Sequence, residues 1–287
     1  MLGLREYLKI QRRTFRLKMS GLFKDSFDKN AKCLFFDFDG TLHNNGVTSI
    51  ETIKALDYAR SKGCYLFVNT GRTKPFLMRD LFKFTGYEFD GILCGGAAVY
   101  YGKNYEKVLF EEPPLTEDEK DEILSVVCKN ALWTVFEGYD ELYTLEIHGE
   151  VKYLKSELEE FYRKGKKDLS NLKISKCSVF PPKGVPVLDK VKEATCMEWV
   201  EYKSYPWYEG YKKGCGKGKI IEKFCLLTGA DIKNTIAFGD SENDISAFES
   251  AAKSVAMNSA PEQLKNASTY VAKTAEGVSE GIYHYIK

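Results

Sequence analysis

No apolar run in this chain of 287 residues approaches the roughly 20 needed to cross a bilayer, so nothing in it reads as a membrane-spanning helix. Histidines number only 3 and lie far apart, and the 8 cysteines include no C-x-x-C pair, which argues against a zinc site. An excess of either charge is missing too. The formal net charge is +1, so no nucleic-acid partner is expected. A secretory signal is not evident, so the thiols are expected to be reduced and the protein cytoplasmic. Several of the cysteines (Cys33, Cys64, Cys94, Cys128, Cys177, Cys196, Cys215 and Cys225) fall in predicted strands or helices, where thiols act as small apolar fillers. Internal repeats and low-complexity segments are also absent.

What is present is a globular composition, with 44% hydrophobic residues and length enough for one large or two ordinary domains. Residues 1–30 stand apart as a basic extension. "LREYLKIQRRTFRLKMSGLFK" carries Leu4, Leu8, Phe15, Met19 and Leu22 at near-helical spacing among lysines and arginines. Such a helix can lie on a membrane surface or a partner. The ordinary reading is a helix packed on its own domain, or a frayed tail.

Beyond residue 30 the pattern alternates. "CLFF" and "CYLFVNT" are buried strands, and "DGILCGGAAVYY" is a third apolar strand segment running into glycines. Helices "TSIETIKALDYARSKG", with Thr48 and Glu51 as a capping box, and "KPFLMRDLFKFTG" lie between them. From Glu112 to Lys203 the pattern changes to helices and predicted hairpin strands, including a helix over "VKYLKSELEEFYRKG". Alternation then returns with "KGKIIEKFCLLTG", "NTIAFGD", "NDISAFESAA", "SVAM" and "APEQLKNA". The fold expected is α/β: a doubly wound parallel sheet, a Rossmann-like core over 31–111 and 204–287, with an α+β unit inserted at 112–203.

Three core strands end in polar tips: Asp37-x-Asp39-Gly-Thr, Thr70-Gly71-Arg72 and Gly239-Asp240. Ligands of open α/β sheets bind outside the carboxyl ends of the strands, so these tips converge. Strand spacing would turn Asp37 and Asp39 to one side, where two anions need a cation between them. Asp37, Asp39 and Asp240 offer the oxygen ligands of a hard ion such as Mg2+. Thr70, nearby backbone N–H groups, and Lys217 at a helix start suit a phosphate. Arg72 reads as a substrate clamp or a strand cap, and His43, close behind the first motif, as a substrate contact or, in the ordinary reading, an exposed loop residue. In "WVEYKSYPWYEGYKKG", Tyr205, Trp207, Tyr208 and Tyr211 either stack on a substrate ring or pack beneath the return to the core, and packing is the ordinary reading.

In order and spacing, "DFDGTL", "VNTGR", "KGKII" and "GDSENDISAF" resemble the four motifs of the haloacid dehalogenase superfamily of phosphohydrolases. The wider pattern is similar to its Cof-type branch, whose inserted α+β domain is a C2B cap. The resemblance runs from about Lys32 to Tyr285. It implies that Asp37 attacks phosphorus to form an aspartyl-phosphate, and that Asp39 protonates the leaving alkoxide and then deprotonates water. It further implies Mg2+ on a carboxylate oxygen of Asp37, the backbone carbonyl of Asp39 and the carboxylate of Asp240, with Asp244 supporting the metal from behind. Thr70, the N–H groups of Phe38 and Gly71, Lys217 and Asn243 would hold the phosphoryl oxygens. Two departures lie at the rim: Gly95-Gly96-Ala97 stands where the branch usually has Asn-Gly-Ala, and Asn258-Ser259-Ala260 where it often has Gly-Asn-Ala. The implied activity is a Mg2+-dependent phosphatase acting on a small phosphorylated metabolite, a sugar phosphate or a nucleotide-related one. The alternatives are a phosphosugar mutase, whose cap must hold a second phosphate with free cations, and a non-catalytic phosphometabolite sensor, whose signature would be a missing aspartate.

Overall fold

Strand residues that alternate between two opposite apolar layers organise most of the chain. The computed structural model describes residues 27–139, 142–145, 172–182, 187–202 and 207–287. The chain opens with β1 (Cys33–Phe36), α1 (Ile50–Ser61), β2 (Tyr65–Thr70), α2 (Lys74–Thr85), β3 (Gly91–Cys94), β4 (Ala98–Tyr101) and β5 (Lys107–Glu111). A second unit holds α3 (Glu117–Lys129), β6 (Trp133–Gly138), β7 (Leu142–Leu145), β8 (Ile174–Phe180), α4 (Leu188–Val191), β9 (Met197–Glu201) and β10 (Tyr208–Lys212). The chain closes with α5 (Lys217–Thr228), β11 (Thr235–Gly239), α6 (Ile245–Ser250), β12 (Lys253–Ala256), α7 (Glu262–Ala267), β13 (Tyr270–Val271) and α8 (Gly277–Tyr285).

The first sheet has 8 strands in the order β13-β12-β11-β1-β2-β3-β4-β5, parallel through β3. Leu34 and Phe36 of β1 enter one apolar layer with Ala55 and Leu56 of α1, Leu77 of α2 and Ile282 of α8. Cys33 and Phe35 enter the other with Ile221 and Phe224 of α5, Phe248 of α6 and Leu264 of α7. Helices on both faces make the doubly wound core expected from the alternation. Helix ends follow local chemistry. Gly86 (φ 59°) and Gly229 (φ 79°) close α2 and α5 in the left-handed conformation. Thr116 and Glu119 form a capping box behind Pro113-Pro114. For α1 the cap is Ser49, which accepts from the Thr52 N–H, rather than the expected Thr48. The two lie side by side at the helix start, and sequence spacing alone does not separate them.

Two expectations change. "DGILCGGAAVYY" is not one strand but a hairpin, because Gly95 (φ 57°) and Gly96 (φ 64°) turn the chain back and pair β4 antiparallel to β3. The second sheet, in the order β7-β6-β8-β10-β9 and antiparallel throughout, includes Tyr208–Lys212, past residue 203 where the sequence put the return to the core. The aromatic stretch read as a connection is partly a strand. Tyr208 joins the apolar layer under α3 and α4, and Trp207 packs on Phe180 and Tyr202. Tyr205, the "VKYLKSELEEFYRKG" helix and the basic stretch before Phe27 lie outside the described residues. Among the described residues, no helix is long and apolar enough to cross a membrane.

Both connections between the units rest on the glycine hairpin. Glu112 N–H donates to Ala97 O (2.8 Å) and Gly216 N–H to Gly96 O (2.9 Å). A Cβ on Gly96 would lie 2.5 Å from Gly216 Cα, backbone against backbone. Gly96→Ala is expected to cost about 3 kcal/mol, from the positive φ plus the clash. Gly63→Ala, also at positive φ but with open space around it, should cost about 1 kcal/mol. Urea midpoints of the two variants check this, and equal losses would remove the hairpin from its structural role.

Candidate active site

The order of the first sheet reverses at β1: the chain runs outward through β2 and β3, then returns to the other side at β11. A crevice opens at such a point, outside the carboxyl ends of the strands. Asp37 follows β1 directly, Thr70 ends β2 and Asp240 follows β11. The Asp37 N–H donates to Phe238 O (2.9 Å), which ties two of the tips together.

Lys217, the first residue of α5 and only 1% exposed, donates from Nζ to Asp37 Oδ1 (2.5 Å) and Asp244 Oδ1 (2.6 Å). Asp244 Oδ2 accepts from the backbone N–H groups of Asp240 (2.9 Å) and Ser241 (3.1 Å). Three donors thus occupy Asp244, which orients the lysine and the loop. Asp240 Oδ1 accepts from the Thr41 hydroxyl (3.0 Å). Gly40, at φ +81°, leaves room for Asp240, since a Cβ there would stand 2.2 Å from its Oδ2.

One ligand atom each of Asp37, Asp240 and Asp244 lies within 4.8 Å of the others. Burial pushes the Asp37 carboxyl well up; Lys217 pulls it down, and Asp244, Asp240 and Asp39 push it up again. Burial and then Asp244 raise Asp240 to about 7, against the pull of Lys217. Burial alone would lower Lys217, but Asp244 and Asp37 outweigh it and hold the ammonium charged. Two buried carboxylates, Asp37 and Asp244, therefore share one buried cation, with the half-buried Asp240 beside them. Their oxygens, with no sulfur or imidazole among them, fit a hard metal ion that would offset the remaining negative charge.

Asp39 is placed differently from the expectation. β1 ends at Phe36 and the chain turns at Gly40, so strand spacing does not extend through Asp39; Asp37 groups with Asp240 and Asp244, while Asp39 pairs with Arg72. Asp39 is 48% exposed. Arg72 grips both its oxygens, Nε on Oδ2 (2.6 Å) and Nη2 on Oδ1 (2.5 Å). Burial of the carboxyl is outweighed by His43 and Arg72, which hold it down to about 2. The third guanidinium nitrogen reaches buried Asp80 (2.7 Å), and the group lies over the Phe38 and Phe76 rings. Arg72 is thus an anchored clamp on Asp39. His43 is not an exposed loop residue. It is buried between Phe38 and Phe84, accepts the Gly46 N–H at Nδ1 (3.1 Å), and brings Nε2 to 3.3 Å from Asp39 Oδ1.

Thr70 is buried, and its hydroxyl accepts the Arg72 N–H (3.1 Å). Gly71 faces Asn243: a Cβ on it would stand 3.2 Å from Asn243 Nδ2 and 2.9 Å from the Tyr211 hydroxyl. Phe38 sits between the two aspartates with its ring buried. The structure therefore gathers Asp37, Lys217, Asp240 and Asp244 into one cluster, sets Gly71 against Asn243 beside Tyr211, and leaves the Asp39 carboxylate beside the site but turned away. Sequence reasoning missed a buried network on the second sheet, Glu137, Lys176 and Glu209 with Tyr202 and Tyr211, whose lysine donates to Gly71 O (2.9 Å). Its only signal was charge inside apolar strands, Glu137 in "WTVFEG" and Lys176 in "ISKCSVF". All eight cysteines are free, and burial raises the thiols of Cys33, Cys94 and Cys177, which keeps them inert.

Comparison with known proteins bears on this arrangement. The family profile of the haloacid dehalogenase-like hydrolases matches residues 34–286. The chain is 26% identical over 290 residues to the phosphatase YwpJ of Bacillus subtilis (strain 168), covering 89% of this chain and 99% of that protein. It is 26% identical over 265 residues to the 5-amino-6-(5-phospho-D-ribitylamino)uracil phosphatase YcsE of the same organism, covering 90% and 97%. Among solved structures, a subclass IIB sugar phosphatase superposes with a TM-score of 0.71 at 25% identity, over 89% of this chain and 99% of that one.

The raised carboxyls set a pH dependence. The folded protein keeps on Asp240 a proton that the unfolded chain releases near pH 4, so this contribution to stability is present in acid and lost as pH rises through about 7, and the raised Asp37 carboxyl acts in the same direction. In chelator, the melting temperature is expected to fall between about pH 5 and about pH 8. Added Mg2+ should raise it more at the higher pH, where no proton has to be displaced. Scanning calorimetry at the two pH values checks this, and an equal Mg2+ effect at both would count against the cluster as a metal site.

Proposed function

The chain belongs to the haloacid dehalogenase-like hydrolases, in their Cof-type branch, and is a phosphoric monoester hydrolase; from that premise we propose that it hydrolyses a small phosphomonoester through an aspartyl-phosphate on Asp37, with Mg2+ beside it. The observation that carries the reading is Lys217 bridging Asp37 and Asp244 at the strand tips, with Asp240 alongside. A lysine so placed neutralises the nucleophile's surroundings and has protons to offer phosphoryl oxygens.

In this reading an Asp37 oxygen attacks phosphorus as the bond to the alcohol oxygen breaks, and Asp39 delivers a proton to that oxygen. Water then attacks the aspartyl-phosphate, its proton passes to Asp39, and Asp37 is regenerated with release of phosphate. Asp37 and Asp240, with the Asp39 backbone carbonyl, would hold Mg2+, which when bound draws charge from the phosphoryl group and keeps Asp37 ionised. Thr70, Asn243, Lys217 and the N–H groups of Phe38 and Gly71 hold the phosphoryl oxygens, and Asp244 orients Lys217. Clasped by Arg72 and His43, Asp39 carries no proton near neutrality. In this reading Asp39 exchanges Arg72 for the leaving oxygen, a motion its exposed position allows, takes up a proton from solvent as that ion pair is lost, and passes it to the leaving oxygen.

A sugar phosphate or a nucleotide-related phosphate is the substrate class we favour. The structural neighbour is a sugar phosphatase, and YcsE acts on a ribityl phosphate joined to a uracil. A cytoplasmic location accords with the free, buried thiols.

Asp37→Asn should lower kcat on an aryl phosphate by at least about a thousandfold, and chelator should remove wild-type activity until Mg2+ is restored. Asp39→Asn should slow phosphorylation by an alkyl phosphate about a hundredfold more than by an aryl phosphate, whose leaving group needs little proton donation. Single-turnover kinetics on both esters read this out. Equal slowing would reject Asp39 as the acid, and full activity of Asp37→Asn would reject the covalent route.

A further inference from the structure

The second sheet turns charged side chains toward the strand tips. Cross-strand register sets Glu137 of β6 opposite Lys176 of β8, and Lys176 opposite Tyr211 of β10. Glu209 and Tyr211, two apart on β10, share that face. Lys176 and Glu137 are both buried (2% exposed). Lys176 Nζ donates to Glu209 Oε1 (2.8 Å) and lies 3.3 Å from Glu137 Oε1. It also crosses between the units to Gly71 O (2.9 Å). Glu209 Oε2 accepts from the hydroxyls of Tyr202 (2.6 Å) and Tyr211 (2.7 Å). A Cβ on Gly71 would stand 3.5 Å from that same oxygen. The Glu209 carboxylate therefore overlies the loop that faces Asn243.

We infer that Glu209 is a specificity residue, meeting the alcohol part of the ester and selecting uncharged or cationic, hydrogen-bond-donating alcohols over those that carry a second anion. The inference rests on the phosphatase reading above. Its warrant is a count of charges and donors. On this face the described residues place two carboxylates against one ammonium, and that ammonium is already held by both carboxylates and a carbonyl. A hydroxyl or ammonium of the substrate can replace a tyrosine hydroxyl as donor to Glu209. A second phosphate or a carboxylate meets the Glu209 carboxylate, whose neighbouring donors, the Tyr202 and Tyr211 hydroxyls, are already bonded to it, and like charges at this depth are poorly screened. Burial opposes ionisation of Glu209, but Lys176, Tyr202 and Tyr211 outweigh it and hold the carboxyl below its usual range.

A second feature points the same way. A groove of about 390 Å³ leads outward from Tyr211, Lys217 and Asn243, past Trp199, between the edge strand β9 and helices α5 and α6. That volume suits a small alcohol. Its outer walls carry Glu198, Glu222 and Glu249. Of its two lysines, Lys217 is committed to Asp37 and Asp244, and Lys219 is paired with Glu222. The groove lining thus carries three glutamates against two lysines, both of the lysines paired.

The test uses the full chain and matched pairs of esters: a hexose monophosphate against the hexose bisphosphate, and ethanolamine phosphate against phosphoglycolate. The first member of each pair is expected to show at least about tenfold higher kcat/KM. Glu209→Gln keeps the shape and removes the charge, and should shrink both ratios by about tenfold. A ratio measured on one preparation does not depend on how much of the variant folds. Wild-type ratios near one, or ratios unmoved in Glu209→Gln, would overturn the inference. An aryl phosphate tested in parallel separates the two readings. If its Asp37-dependent hydrolysis persists while the ratios fail, only the charge selection falls; if no ester is hydrolysed, the phosphatase reading falls with it.

Discussion

The ammonium of Lys217, at 2.5 Å from Asp37 and 2.6 Å from Asp244, is the contact around which the site is arranged. Buried carboxylates at this spacing repel one another, and burial penalises each of them. With Lys217 in place the charge is partly balanced, and what remains is a negative pocket of oxygen atoms. Its surroundings serve that balance. Asn69 donates to Lys217 O (3.1 Å), which fixes the start of α5, and the N–H groups of Asp240 and Ser241 fix Asp244. A site so arranged suits a cation and, on the proposed reading, would hold a phosphoryl group through that cation and the lysine.

The second unit reaches that site through Lys176, which donates to Gly71 O, and through Tyr211, which stands beside Gly71 and Asn243. Its two connections to the core both bond to the glycine hairpin, at Ala97 and Gly96. Lys212 adds bonds to Pro113 O and Pro114 O, so the outgoing and returning strands of chain are tied to each other. The charged face over the site is thereby held in register with the strand tips. On the proposed reading, chemistry and selection would be divided accordingly: the core would supply nucleophile, lysine and metal ligands, and the second sheet the surface that the alcohol meets.

Asp37 and Asp39 show how environment separates two like residues. Asp37 is buried among carboxylates, and its protonation is decided by neighbours that a cation would outweigh. Asp39 stands at the edge, and a bidentate arginine keeps it ionised and aimed away. Carboxylates with opposite tasks need environments that differ in this way. Arg72, itself anchored by Asp80 and two aromatic rings, holds Asp39 in a defined position, from which, on the proposed mechanism, substrate would recruit it.

Much of this was legible in the sequence. Apolar runs such as "CLFF" and "CYLFVNT" are read as buried strands because a doubly covered sheet demands continuous apolar character. The residues after three such strands had to converge, since parallel strands bring their carboxyl ends to one edge. The order of the motifs was therefore enough to expect Asp37, Lys217 and Asp240 as neighbours, and the structure brings these three together. Tertiary structure alone decided where side chains turn once regular structure stops. The divergence of Asp39 from Asp37, the burial of His43 and the grip of Arg72 all follow from the turn at Gly40 and from α2 packing beside it. The place of β10 in the second sheet and the reach of Lys176 to Gly71, 105 residues away in the chain, depend on cross-strand register. Local patterns carry periodicity and punctuation, but a contact between distant segments is set by the mutual packing of whole elements, which no short stretch of sequence encodes.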